Sequence, residues 1–276
     1  MICKTVELSA MTTIKIGGMV KNFFICEDVK DLTSLITAYK HYNILGNGSN
    51  LLVSDNGIEN PVIKLGGGFK HISHTGNLLE AGAGVSVRNL INYCIINNLG
   101  GLSFLAGIPA TVGGCTFMNA SANGMSISDV LTEVETVTAA GIKTIKAKDI
   151  KFSYRGTSLT EGIIVKVRFS VLNGRDIKKD INSILTGRIQ KQEMLLPSCG
   201  CIFKNPGDSF AGRLIDEAGL KGLKKNDAQV SNRHGNFIVN LGKAGYNDVD
   251  YLIKFVRDKV YSRSGVLLQE EIVRWA

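Results

Sequence analysis

No run in the 276-residue sequence approaches the ~18 consecutive apolar residues needed to cross a bilayer, so no membrane-spanning helix is expected. The opening stretch MICKTVELSA lacks a basic region followed by an apolar core, and no secretory leader is expected from it. Six cysteines (Cys3, Cys26, Cys94, Cys115, Cys199 and Cys201) follow no framework spacing. That argues against a disulfide scaffold and points to a reduced, cytoplasmic compartment. Metal-ligand spacing is missing too. Cys199-x-Cys201 has no second cysteine pair, and His71 and His74 sit three apart in a predicted strand, where they face opposite sides. No metal site is expected. There is no internal repeat and no low-complexity tract. Nor is there a basic stripe with interleaved aromatics of the kind that binds nucleic acid. The densest basic group, Lys221, Lys224 and Lys225, falls in a glycine-containing loop and reads as solvated. The net charge of +8 favours anionic partners, and small nucleotide-type molecules satisfy that.

What the sequence has in quantity is glycine. The 31 glycines cluster in short runs, which marks backbone that turns tightly or lies against a ligand. The length suits two domains, or one large one with sub-lobes. Asn22 to Cys26 reads as a strand, and Val29, Leu32, Leu35, Ile36 and Tyr39 have helical spacing. Tyr42 to Leu45 is strand-like and runs into Gly46-Asn47-Gly48-Ser49-Asn50, after which Leu51 to Val53 and Val62 to Leu65 are further strands. Leu78 to Ala81 is a strand ending in Gly82-Ala83-Gly84. Ser86 is the N-cap of a helix with Val87, Leu90, Ile91, Cys94 and Ile95 on one face. From Gly100 to Gly124 the chain is nearly uncharged, glycine-rich and weakly periodic. It is too apolar for a solvated linker and suits a segment that wraps a ligand. Leu131 to Val137 and Ile142 to Ile145 form a predicted hairpin, and Ile163 to Val171 a long strand. Asp176 to Met194 is a charged helix leading into a second domain. That domain has a helix from Ser209 to Ala218 closed by Gly219, a strand Asn236 to Leu241, a helix Asn247 to Ser262 and a last strand Val266 to Trp275.

The loop Gly46 to Asn50 follows a strand but precedes no helix, so it is neither a Rossmann fingerprint nor a P-loop. A tight turn between two strands is its plainer reading, and an anion-binding nest of backbone N–H groups is the other. Two glycine-rich loops in one domain favour FAD in a non-Rossmann fold over NAD in a Rossmann fold.

Six ordered motifs carry a resemblance along nearly the whole chain. They are Thr12-Thr13-Ile14-Lys15-Ile16-Gly17-Gly18, Leu45 through Val53, Gly107-Ile108-Pro109-Ala110-Thr111-Val112-Gly113-Gly114 with Met118-Asn119-Ala120, Tyr154-Arg155, Phe203-Lys204-Asn205-Pro206, and Asn236-Phe237-Ile238-Val239-Asn240. The chain resembles the UDP-N-acetylenolpyruvoylglucosamine reductases, flavoenzymes of peptidoglycan synthesis, in their shorter architecture without an inserted tyrosine loop. The resemblance implies an α+β fold. A two-lobed FAD-binding domain of the vanillyl-alcohol-oxidase type would span residues 1–174, with lobes at about 1–66 and 67–174. An α+β substrate domain would span residues 175–276.

It also implies non-covalent FAD, held by Gly46, Asn47, Gly48, Ser49, Asn50, Leu51, Gly84, Gly107, Ile108, Pro109, Thr111, Gly113 and Gly114. NADPH would be the co-substrate and a UDP-linked enolpyruvyl amino sugar the substrate, in a monomeric enzyme of the cytoplasm. Tyr154, Lys191, Lys204 and Asn205 would bind substrate, and Arg155, Cys201 and Glu271 would be catalytic. Arg155 matches the arginine at the substrate carboxylate. Glu271 matches the C-terminal glutamate, which burial would keep protonated. Cys201 stands where the family commonly has its proton-donating serine. A thiol with an ordinary pKa near ~8.5 is mostly protonated at neutral pH and is a far stronger acid than an alcohol. Other departures are Ala110 for glycine, Asn123 for tyrosine, Glu193 for proline, Gly235 for alanine and Gln269 for glutamate. Two further readings are a related FAD oxidoreductase acting on another small substrate and a non-catalytic flavin-binding regulator. The joint presence of Arg155, Cys201 and Glu271 counts against the first.

Overall fold

The computed structural model describes residues 1–174, 176–207 and 209–276. The chain forms two compact α+β units, and each draws on discontinuous stretches of sequence. The first comprises Met1–Lys4, Asn22–Asn47 and Asn60–Gly187; the second comprises Thr5–Lys21, Gly48–Glu59 and Arg188–Ala276. The break expected at 174/175 therefore falls inside the first unit, which continues to Gly187. No helix among the described residues is long and apolar enough to cross a membrane.

A five-stranded antiparallel sheet anchors the first unit, in the order Gly141–Lys146, Leu131–Thr138, Ile163–Ser170, Leu78–Gly82 and Ile72–Thr75. Ile163–Ser170 buries Ile163, Ile164, Val165, Val167 and Phe169, an almost continuous apolar run suited to a central strand covered on both faces. The helix Val87–Ile96 packs Val87, Leu90, Ile91 and Cys94 into the same core, and the Ser86 hydroxyl caps it by accepting from the Asn89 N–H at 3.2 Å. A second sheet runs in the order Ile2–Glu7, Met19–Cys26, Val62–Leu65, Asn43–Ile44. Val62–Leu65 lies between Met19–Cys26 and Asn43–Ile44 and is parallel to both. The helix Val29–Ala38, capped by the Asp28 carboxylate at the Asp31 N–H (2.8 Å), carries the chain from one side of that strand to the other.

The second unit is built on an antiparallel sheet in the order Ser198–Cys201, Phe237–Asn240, Ala228–Val230, Lys224–Lys225. The helix Tyr246–Ser264 packs against it through Val249, Leu252, Ile253, Val256 and Val260, each worth about 1.5–3 kcal/mol of burial. The shorter helix Ala211–Glu217 contributes Ala211 and Ile215. Both helices end as their sequences require. Gly219 (φ 73°) and Gly265 (φ 69°) take the left-handed conformation that lets the last carbonyls find donors.

Two expectations need correction, and a third gains detail. The last strand is only Val273–Trp275, because Val266 to Ile272 form no regular ladder. The weakly periodic, glycine-rich Gly100–Gly124 segment does hold a short helix, Val112–Phe117, and the start of a small hairpin, Ser121–Ala122 with Met125–Ser126. Gly46 to Asn50 is not a hairpin turn. Asn43–Ile44 pairs with Val62–Leu65, whereas Leu51–Val53 pairs in parallel with Val273–Trp275. The chain leaves the first unit at Asn47 and begins the next stretch of the second at Gly48.

Candidate active site

In the first unit, Gly46 lies against the glycine-rich segment. A Cβ added to Gly46 would sit 2.8 Å from the Thr111 hydroxyl oxygen, so only glycine allows this approach. The Lys64 ammonium donates to the Gly46 carbonyl at 2.5 Å. Among the described residues, the N–H groups of Gly46 and Asn47 have no acceptor within the protein. The start of the helix Val112–Phe117 is different. Its Val112 and Gly113 N–H groups donate to the carbonyls of Val85 and Ala83, and the Gly114 N–H to the Thr111 hydroxyl. A Cβ at Gly113 would come 2.8 Å from that of Ala83, so this glycine serves close packing of the helix on the strand exit. Gly84 packs against the Phe69 carbonyl and the stem of Lys70. Gly107 turns with φ 80°, Ile108 bonds back to Leu105, and Pro109 is exposed.

Tyr154 and Arg155 form the two-residue tip of a hairpin between Phe152–Ser153 and Gly156–Thr157. Arg155 has φ 60°, the left-handed region that glycine favours, and a non-glycine residue held there stores strain. Its guanidinium lies 5.0 Å from the centre of the Tyr154 ring and donates to the Ser121 hydroxyl at 2.5 Å. The hairpin is tied down from Phe117 and Asn119. The Thr157 hydroxyl donates to the Phe117 carbonyl (3.0 Å). Buried Asn119, itself at φ 43°, donates from its amide to the Ser153 carbonyl and accepts from the Ser128 N–H, both at 3.1 Å.

The second unit gathers Gly48, Ser49, Asn50, Leu51, Cys201 and Glu271. Gly48 has φ 63°, and a Cβ there would come within 2.4 Å of the Met11 carbonyl oxygen. Gly48→Ala is expected to cost about 2–4 kcal/mol, the sum of left-handed strain and overpacking, read as a lower thermal unfolding midpoint. An unchanged midpoint would show that the Met11 segment yields freely. Thr13 links this loop to the strand of Cys201: its N–H donates to Gly48 O (3.1 Å) and its hydroxyl to Ser198 O (2.6 Å). Among the described residues, the N–H groups of Gly48, Ser49 and Asn50 have no protein acceptor.

Ser198–Cys201 is an edge strand with a register shift between Ser198 and Cys201, and Gly200 within it has φ 79°. Such a bulge breaks the two-residue alternation and re-aims the side chain that follows. Cys199 is fully buried, and burial pushes its thiol up to about 12; Cys201 is half-buried. The segment after Cys201 pairs with the segment before Glu271. Phe203 bridges Glu270, the Glu271 N–H donates to Ile202 O (2.8 Å), and the Lys204 N–H donates to Gln269 O (2.8 Å). The Asn50 amide donates to the Glu271 carbonyl at 3.2 Å. Glu271 is half-buried and lies outside any strand.

Asn236 clamps the Cys201 segment. Its side chain accepts from the Phe203 N–H (2.9 Å) and donates to the Phe203 carbonyl (2.8 Å), while its own carbonyl accepts from Ile202. The Asn236 N–H donates to Nδ1 of His234, whose pKa is held below the ordinary value by burial and then by the Lys221 charge. Of the remaining predicted residues, Asn205 is exposed and accepts from the Ala211 N–H (3.1 Å), capping the helix Ala211–Glu217. Lys191 is exposed at the end of the helix Lys178–Lys191. Arg155 thus belongs to the first unit and Cys201 and Glu271 to the second. Lys64 and the clamping roles of Asn119 and Asn236 escaped the sequence reading, although both asparagines stand in quoted motifs.

Residues 7–146 match the FAD binding domain, and residues 190–275 match the UDP-N-acetylenolpyruvoylglucosamine reductase, C-terminal domain. Together with unspent backbone donors in a tight glycine loop, these matches define an FAD-dependent oxidoreductase. The chain is 38% identical over 275 residues to the UDP-N-acetylenolpyruvoylglucosamine reductase of Halalkalibacterium halodurans, covering 96% of this chain and 91% of that one. It is 38% identical over 278 residues to that of Rickettsia typhi, covering 98% and 94%. The crystal structure of the Thermus caldophilus UDP-N-acetylenolpyruvylglucosamine reductase superposes with a TM-score of 0.90 at 36% identity, over 100% of both chains. The chain belongs to the UDP-N-acetylenolpyruvoylglucosamine reductase family.

Proposed function

We propose that the chain reduces a UDP-linked enolpyruvyl amino sugar to its lactyl ether with NADPH, in the peptidoglycan-building chemistry of the cytoplasm, as a monomer. The residues present fit FAD. The loop Gly46 to Asn50 offers unspent N–H donors suited to a diphosphate, and its glycines at 46 and 48 fill places where a Cβ would collide. Bound FAD would supply the hydride-transfer chemistry that links NADPH oxidation to reduction at C3 of the enolpyruvyl group.

The chain's own residues then manage charge and protons. Arg155 holds the substrate carboxylate, into which negative charge spreads as C3 is reduced, and Glu271 donates a hydrogen bond to the same group in its protonated form. Cys201 gives its thiol proton to C2 and recovers one from solvent, so one hydride and one proton are added across the double bond. Tyr154, Lys191, Lys204 and Asn205 bind the nucleotide sugar. The observation that carries this reading is the bulge at Gly200. It leaves Cys201 half-exposed on a segment hydrogen-bonded to that of Glu271, while Cys199 two residues earlier stays in the core.

The test is direct. Purified protein should be yellow, should release its chromophore as FAD on denaturation, and should consume NADPH only when the enolpyruvyl sugar nucleotide is added. NADPH consumption indifferent to that substrate would defeat the reading.

A further inference from the structure

Lys64 occupies an unusual place for a lysine. It lies on the strand Val62–Leu65, which has a parallel partner on each side, between the buried Ile63 and the half-buried Leu65. Long charged side chains are rarely drawn into such positions without a counter-ion. Among the described residues, no carboxylate lies within ion-pair distance of the Lys64 ammonium, which donates to the Gly46 carbonyl at 2.5 Å. The charged neighbour that bears on it is another cation, Lys70. Burial, and then repulsion from Lys70, hold its pKa below the ordinary lysine value. Lys64 is half-buried, and a cation partly withdrawn from water near a second cation is less favourable unless an anion joins it.

The surroundings say which anion. The carbonyl that Lys64 engages belongs to Gly46, the first residue of the loop with unspent N–H donors, and Gly46 abuts the Thr111 hydroxyl. The Lys70 stem lies against Gly84, 3.5 Å from where a Cβ would be. Both cations thus stand beside glycines of the two glycine-rich stretches, Gly46 and Gly84. We propose that Lys64, with Lys70 beside it, supplies the positive charge that receives the diphosphate of FAD. This rests on the flavin reading above and adds to it two residues that no motif marked. Lys64 does two jobs within the first unit: it fixes the Gly46 carbonyl, and it neutralises the phosphate bound by the N–H groups of Gly46 and Asn47.

The test uses the full chain stripped of flavin and titrated with FAD at several salt concentrations, alongside its thermal unfolding midpoint. Lys64→Met keeps the aliphatic stem and removes the charge. It is expected to weaken FAD binding by about 10- to 100-fold, the scale of one charge-assisted contact. Salt dependence of the affinity should flatten, and the flavin-free midpoint should not fall, because the relieved charge was unfavourable there. Lys64→Arg should bind FAD close to wild type. Unchanged affinity in Lys64→Met overturns the proposal. So does weakened affinity that comes with a lowered flavin-free midpoint and is not restored by arginine, since that marks a purely structural bond to Gly46. If the wild-type chain itself binds no FAD, the flavin reading fails instead.

Discussion

Cys201→Ala is expected to let NADPH bleach the flavin absorbance at the wild-type rate while slowing its recovery on adding substrate by about 10²–10⁴-fold. The split follows from where the thiol acts. Reaction with NADPH needs no proton from Cys201, whereas reduction of the enolpyruvyl group leaves negative charge that only a donor at C2 can quench. Alanine fills part of the same volume but has no proton to give. Cys201→Ser keeps a donor in nearly the same place and is expected to retain substantial activity; it is a weaker acid, so protonation should become slower but not absent. Cys199 cannot substitute, because it is fully buried with its thiol pushed up to about 12. Full recovery of the flavin colour in Cys201→Ala at the wild-type rate would remove Cys201 from the donor role.

Arg155→Gly is expected to separate stability from activity. Arg155 sits at a hairpin tip with φ 60°, a conformation that costs an arginine and not a glycine. Replacing it relieves that strain but loses the bond to Ser121 and the contact with Tyr154, so unfolding stability should stay within about 1 kcal/mol of wild type or rise. Activity should fall by about 10²–10³-fold, the effect of losing one donor aimed at developing negative charge. Strain retained where it costs stability is the mark of a side chain kept for chemistry. A variant that is both less stable and nearly as active would show the opposite: that Arg155 is there for the turn.

Much of the fold was legible because its signals are local. Ser86 before a face of Val87, Leu90, Ile91 and Cys94 marked a helix start, and the structure places the cap there. Gly219 marked a helix end by the same kind of logic. What escaped depends on partners distant in sequence. Nothing near Leu51–Val53 says that its partner is Val273–Trp275, and so the loop before it read as a hairpin turn. The helix Val112–Phe117 was hidden because glycines at 113 and 114 lower helix propensity, and docking against Ala83 and Val85 overrides that.

The site was legible in the same uneven way. Gly46 and Gly48 could be named from the glycine loop itself, and Cys201 and Glu271 from the resemblance carried by the surrounding motifs. The bulge that turns Cys201 outward could not, because a bulge is a property of two strands. Asn236 stood in a quoted motif, yet its bidentate hold on Phe203 links positions 33 residues apart. Lys64 gave no signal at all in a run that reads simply as a strand; its meaning comes only from the Gly46 carbonyl and the lack of a nearby acid among the described residues.

The most direct measurement is a single turnover of the wild-type chain without oxygen. Flavin bleached by one equivalent of NADPH should regain its colour on mixing with one equivalent of the UDP-linked enolpyruvyl sugar, with the lactyl ether formed in equal amount. Colour that returns only when air is admitted, with the sugar nucleotide unchanged, would contradict the assigned reaction.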